Sequence, residues 1–233
     1  MSAESSASGD AEAPTVTAPP RPVAPDRLAC VLADHLAGIA GSGPGPTALR
    51  VVVDGPPATD PAGLADALVG PLRLRGRPAL RVSARWFLRP ASLRFERGRA
   101  NPDALREDWL DAGALLREVL DPLGPGGSGR YLPRLWDPEL DRATRAGYAQ
   151  APAAAVLLLD GALLLGRGLP VEATVHLLLS AAALARRTPP AEHWTLPAYA
   201  RYAAEVRPDT AADVVVRLDD PRHPAVTFRR NPA

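Results

Sequence analysis

The sequence predicts an α/β chain with a parallel central sheet covered by helices on both faces, a three-layer α/β/α arrangement. Three observations carry this. Segments such as Ala48 to Val53 and Ala155 to Leu159 are continuous apolar runs rather than alternating patterns, as strands buried on both faces require. Stretches with leucines at helical spacing lie between those runs. The two kinds of segment alternate along the chain, which calls for crossover connections between parallel strands.

Residues 1–25 are rich in Ser, Ala, Pro and acidic side chains and are expected to form a disordered tail, because they bury too little apolar surface to offset ordering. Asp26 is expected to cap a helix in which Leu28, Val31, Leu32, Leu36 and Ile39 recur at helical spacing, ended by the breaker run GSGPGP at 41–46. Residues 26–47 thus read as a docking helix and linker, and 48–230 as the main domain. The strand at 48–53 turns at Asp54-Gly55. It leads to a helix over 61–75 with Leu64, Leu68 and Leu72 on one face, for which Asp60 is the side-chain cap and Pro61 the first helical residue.

Further strands are expected at 79–83, 155–159, 173–179 and 212–217, with a short one near Val226, and a single helix is expected over 103–120. Ala181 to Ala185 reads as a small-residue helix that packs closely on the sheet. Gly124 to Gly129 has the composition of a phosphate cradle but follows a helix instead of a strand, so it reads as a connector.

Composition narrows the function. With 233 residues and 46% hydrophobic side chains, the chain is long enough for one sizeable core. The 27 basic and 26 acidic residues leave a net charge of +1, so no global field draws it to nucleic acid or a membrane. Every basic residue is Arg; Lys is absent. Arg85, Arg89, Arg94, Arg97 and Arg99 interleave with Trp86, Phe87 and Phe95. Glu96 intervenes, and a solvated or ligand-facing arginine face is expected in preference to a nucleic-acid surface. Cys30 alone excludes an internal disulfide and a multi-thiolate metal site, and a reducing, cytoplasmic setting is expected. His35, His176, His193 and His223 are scattered without metal-ligand spacing and are expected to be core or surface residues. No segment reads as a secretory signal or membrane span, since the most apolar stretch, Ala153 to Leu165, is interrupted by Asp160 and Gly161.

The order of pieces resembles the uridine kinase and phosphoribulokinase family of P-loop proteins, especially its compact actinobacterial-type members. The pieces are VVVDG at 51–55, RGRPALRVS at 75–83, WFLRPASLRFERGRANPDAL at 86–105, DPLGPGGSGRYLPRLWD at 121–137, AVLLLDGALLL at 155–165 and ADVVVRLDDPRHP at 212–224. The resemblance implies a P-loop kinase domain, ATP and Mg2+ as cofactors, and a nucleoside as substrate. It also implies a phosphate loop of the form GxxxxGK[ST]. Here that loop reads Gly55-Pro56-Pro57-Ala58-Thr59-Asp60-Pro61-Ala62, so the first glycine is kept while Asp60, Pro61 and Ala62 stand where the second glycine, the lysine and the hydroxyl residue belong. Such a loop works through consecutive backbone N–H groups, and Pro56, Pro57 and Pro61 have none. Asp60 adds a carboxylate where phosphate would sit, and is expected to fill that anion site itself; an ordinary capped turn accounts for the same residues.

The family's catalytic base follows a pattern like SxDxF. In Ser83-Ala84-Arg85-Trp86-Phe87 the Asp position holds Arg85, which cannot accept a proton. By the same resemblance Phe87, Arg97, Asp103, Trp136 and Asp137 are substrate-facing, Asp160 is a metal contact or else a strand-end cap, and Arg186-Arg187 lie where a lid supplies arginines. Three functional readings follow. One is a nucleoside- or nucleotide-binding or regulatory homologue with impaired catalysis. The second is an active nucleoside kinase in which arginines such as Arg85 or Arg89 replace the lysine, and the third is an interaction scaffold without a small ligand.

Overall fold

The computed structural model describes residues 19–39 and 48–229. The first part of the expected tail, the breaker run at 41–46 and the last four residues lie outside them. The central sheet has seven strands: β1 (Arg21–Pro22), β2 (Leu49–Asp54), β3 (Ala79–Ser83), β4 (Val156–Gly161), β5 (Ala173–Leu178), β6 (Val214–Arg217) and β7 (Ala225–Phe228). Their spatial order is β3-β4-β2-β5-β6-β7-β1. The pairs from β3 to β6 are all parallel, and the last two, β6 with β7 and β7 with β1, are antiparallel.

The apolar runs become central strands because both faces are covered. Leu49, Val51 and Val53 of β2 point to one core with Leu158, Val175 and Val214, while Val52 points to a second core with Leu157, Leu159 and Val215. The first core is closed by α1 (Pro25–Ala37) and α2 (Pro61–Leu74), through Leu32, Leu36, Leu68 and Leu72. The second is closed by the helical stretch from Ala112 to Leu123 and by α5 (Leu196–Glu205); α3 (Pro102–Glu107) and α4 (Ala181–Arg187) complete the named helices. This is the expected three-layer architecture.

Three expectations are corrected. Residues 21–25 do not belong to a tail: Arg21–Pro22 pairs antiparallel with β7, Val23 N–H donates to Pro224 C=O at 2.9 Å, and Pro25 opens α1. Asp26 is therefore not the cap but lies in the first turn, after Ala24 in the cap position. The helix expected over 103–120 is two pieces. Asn101 caps α3 and Asp111 caps a second start at Ala112, because Leu110 breaks away to form a bridge with Leu88. The second piece runs through a π-helical turn, Leu116–Leu120.

Arg50 fixes that second piece to the sheet. It is 6% exposed, forms an ion pair with Glu172 at 2.6 Å, and donates to Leu120 C=O at 3.0 Å. Gly124 follows, and a Cβ there would meet Arg50 Nη1 at 2.5 Å. Ala48 N–H donates to Leu123 C=O, so this glycine-rich connector sits at the N-terminal end of β2, the opposite end from the Gly55 loop.

Candidate functional site

Strands β2, β3 and β4 end side by side, and in open parallel sheets ligands bind at such carboxyl ends. The loop after β2 is closed upon itself. Gly55 N–H donates to Gly161 C=O at 3.0 Å, Thr59 N–H to Pro56 C=O at 2.8 Å, and Asp60 N–H to Pro57 C=O at 3.0 Å. The Thr59 hydroxyl also donates to Pro56 C=O, at 2.7 Å. Residues 57–59 form a 3-10 turn that ends at Asp60 in the left-handed region, φ 53°. Asp tolerates that conformation better than most residues. The Asp60 carboxylate then accepts Gly63 N–H at 2.9 Å and caps α2, with Pro61 as the first helical residue. Gly63 is needed for this: a side chain there would collide with the carboxylate.

The consequence is chemical. A phosphate loop holds its anion with N–H groups that point outward, whereas here Pro56, Pro57 and Pro61 have none and the N–H groups of Gly55, Thr59, Asp60 and Gly63 are used within the fold. The residues do not fit ATP. Mg2+ fares no better. Asp160, 3% exposed, receives Arg81 Nη1 at 2.6 Å on one oxygen and the Ser83 hydroxyl at 2.8 Å on the other. Among the described residues no cluster of three or more His, Cys, Asp or Glu could hold a metal. Asp160 is the partner of Arg81 and Ser83.

Arg81 is the basic group that reaches the loop. Its Nη2 donates to Ala62 C=O at 3.1 Å, and its Nε pairs with Asp66 at 2.7 Å. Two carboxylates, Asp66 and Asp160, neutralise it, so it brings no net positive charge to the start of α2.

Beside the loop the structure is open. A cavity of about 390 Å³ lies between the loop and the ends of β3 and β4, with apolar walls from Leu88, Leu105, Trp109 and Leu110. Ser83, Arg85, Arg167, Tyr199 and the carboxylates of Asp60 and Asp160 are its polar lining. Arg85 also pairs with Glu139 at 2.7 Å, while Arg167 donates to the carbonyls of Leu163 and Arg106. Burial lowers the pKa of Arg167 and raises that of Tyr199, which remains a neutral phenol. The indole N–H of Trp109 is buried and has no hydrogen-bond partner among the described residues.

Of the residues expected to face substrate, this cavity gathers none. Phe87 is fully buried in the second core. Arg97 pairs with Glu107 and Asp108, and Asp103 with Arg201. Trp136 and Asp137 form a two-residue strand that pairs with Arg142–Ala143, where Asp137 accepts the N–H groups of Glu139 and Leu140. Those two contacts, Leu140's first, lower its pKa. Arg85, Gly55, Asp60, Pro61 and Ala62 do line the cavity, whereas Thr59 is buried beneath it. Arg187 reaches away from the loop and donates to Asp219 C=O at 2.7 Å. Arg94 is 5% exposed and lies over Phe95 and Trp109, whereas Arg85, Arg89, Arg97 and Arg99 are exposed, so four of the five arginines form the expected solvated face and one is folded into the protein.

Sequence reasoning missed Trp109, Leu105 and Arg167 as cavity residues, and the buried triad of Asp54, His176 and Tyr202. Trp109 and Leu105 fell inside the expected long helix. The triad had no signal, because its members are 122 residues or more apart from Asp54.

No protein-family profile and no curated protein matches the chain. Solved structures do. A protein from Bacillus stearothermophilus described as a possible uridine kinase superposes with TM-score 0.62 at 16% identity, over 82% of this chain and 96% of its own. A protein from Silicibacter sp. TM1040, provisionally described as a fructose transport system kinase, gives TM-score 0.56 at 20% identity over 78% and 91%. At such identities the likeness shows the fold: a mixed α/β chain with a mostly parallel central sheet, as in P-loop kinases. Among the described residues no helix is long and apolar enough to cross a membrane.

Proposed function

We propose that this chain is a kinase-fold protein that no longer transfers phosphate and binds a nucleoside-sized molecule in the cavity beside its closed loop. The observation that carries the reading is the contrast at the end of β2. The loop that by resemblance should hold phosphate uses the N–H groups of Gly55, Thr59, Asp60 and Gly63 internally and has a carboxylate on the helix start, while the neighbouring cavity is open. In this reading Asp60 occupies the anion position at the start of α2. A phosphate brought there would meet like charge, at a cost of about 4 kcal/mol for a pair 4 Å apart at the effective dielectric of a protein surface.

A nucleoside suits the volume and the walls. Pockets for small organic ligands start at roughly 300 Å³ and combine apolar walls with a few placed polar groups. The flat face of a base packs on Trp109 and the leucines, and Arg85 and Arg167 donate to its oxygens with N–H groups that their protein contacts leave over. The active-kinase reading lacks support, since Arg85 is held by Glu139 and Arg81 is neutralised.

Calorimetric titration with uridine and, separately, with ATP and Mg2+ tests the proposal. Uridine should bind and ATP should show no heat of binding. Micromolar ATP affinity would overturn the reading of the loop, and silence toward uridine and other nucleosides would remove the reading of the cavity.

A further inference from the structure

A second cavity, of about 240 Å³, lies on the other flank of Gly55, between the ends of β2 and β5 and the helices α4 and α5. Leu177, Leu179, Leu184 and Leu196 are among the side chains that make its walls predominantly apolar. One polar system interrupts them. Asp54 is completely buried, yet it accepts three donors: Leu164 N–H at 2.9 Å on Oδ1, and on Oδ2 the Tyr202 hydroxyl at 2.9 Å and His176 Nδ1 at 2.7 Å. Tyr202 in turn accepts Leu165 N–H at 3.0 Å, so the proton of its own hydroxyl is free to be donated to Asp54.

This arrangement orients the imidazole. With Asp54 as the acceptor, Nδ1 carries the proton of the neutral ring and the lone pair is left on Nε2. His176 lines the cavity, and its Nε2 makes no hydrogen bond among the described residues. Unlike the Nε2 of His35, it is not enclosed by protein. A buried carboxylate under an apolar cavity is expensive unless its network is complete, and the one group left over here is that acceptor.

We propose that this cavity is a second binding site, for a small, flat, uncharged apolar molecule with one N–H or O–H donor, which His176 Nε2 accepts. An apolar cavity of about 150 Å³ is large enough for benzene, so by scaling this one holds about nine or ten non-hydrogen atoms, the size of an indole. Charged ligands are excluded by the leucine walls, and an anion also by Asp54 beneath. The site is independent of the nucleoside reading, although Gly55, Leu163 and Tyr199 border both cavities.

The test uses the full chain, with indole as the probe and benzofuran as the same bicyclic outline without the N–H, titrated by calorimetry. Indole should bind saturably and about 3–10-fold more tightly than benzofuran, the advantage of one net hydrogen bond. His176→Asn keeps a donor toward Asp54 and removes Nε2, so it should erase that preference. Ala200→Phe, placed on the exposed face of α5 where it borders the cavity, should abolish binding of both probes while uridine binding persists. Equal affinity of the two probes for the wild type overturns the role of His176. Absence of indole binding to folded protein, or binding that survives Ala200→Phe, overturns the site. Should His176→Asn fail to fold, the wild-type comparison and Ala200→Phe still decide.

Discussion

The closed loop after β2 and the cavity beside it are built from neighbouring residues, yet they treat their polar groups in opposite ways. Between Gly55 and Gly63, N–H groups are used within the turn, and the carboxylate of Asp60 locks the start of α2. Across from it, the apolar walls stand apart and Arg85 and Arg167 border the open volume. Phosphoryl transfer needs donors fixed outward before the substrate arrives, whereas binding needs only a shaped volume with a few groups left over. One fold can lose the first and keep the second. The loop should then behave as structure and the cavity as function, and three measurements test that division.

The largest effect should come from Asp54→Ala. It leaves the Tyr202 hydroxyl, His176 Nδ1 and Leu164 N–H without their acceptor, and buried unsatisfied groups cost about 1–3 kcal/mol each. A loss of about 3–5 kcal/mol is expected in urea unfolding; a loss below about 1 kcal/mol would mean that the network beneath the loop does not hold it. Ala162→Trp fills the larger cavity from its rim and should weaken uridine at least ~100-fold, about 2.7 kcal/mol, with little change in Tm. Unchanged uridine affinity would place that ligand elsewhere.

Asp60→Ala sharpens the contrast from the loop side. Loss of the cap should lower stability by about 1 kcal/mol, and ATP should still fail to bind because the prolines still lack donors. ATP binding in this variant would show that charge alone had closed the site.

The smallest effect lies far from both regions. His35 packs against Phe228 with an Nε2 that has no partner among the described residues, and burial lowers its pKa, with Asp213 opposing. At high pH it is neutral in both states. As pH falls through the unfolded value of about 6.5, the unfolded chain gains a proton that the folded protein resists, so stability decreases. His35→Phe should flatten that decline in urea unfolding between about pH 7 and 5. An unchanged slope would remove His35 as its cause.

Much of the fold was legible because its signals are local. Continuous apolar runs marked β2, β4, β5 and β6 within two residues at each end, and Asp60-Pro61 announced the start of α2. The break at Leu110 was not, since a helix-compatible stretch was interrupted by a bridge to Leu88, a contact between distant segments. The loop was legible where it depends on what is absent: three prolines take three backbone donors from the segment between Gly55 and Ala62. The lining of the cavity was not. Phe87 has the composition of a ligand contact, and only packing shows that it is fully buried.

The sequence by itself determined the parallel sheet and the scarcity of backbone donors between Gly55 and Ala62, because hydrophobic period and backbone N–H inventory are properties of the residues themselves. Tertiary structure alone decided which side chains face an open volume. Asp54, His176 and Tyr202 meet only because crossover connections bring the ends of β2 and β5 beside α5, and no spacing along the chain records that meeting.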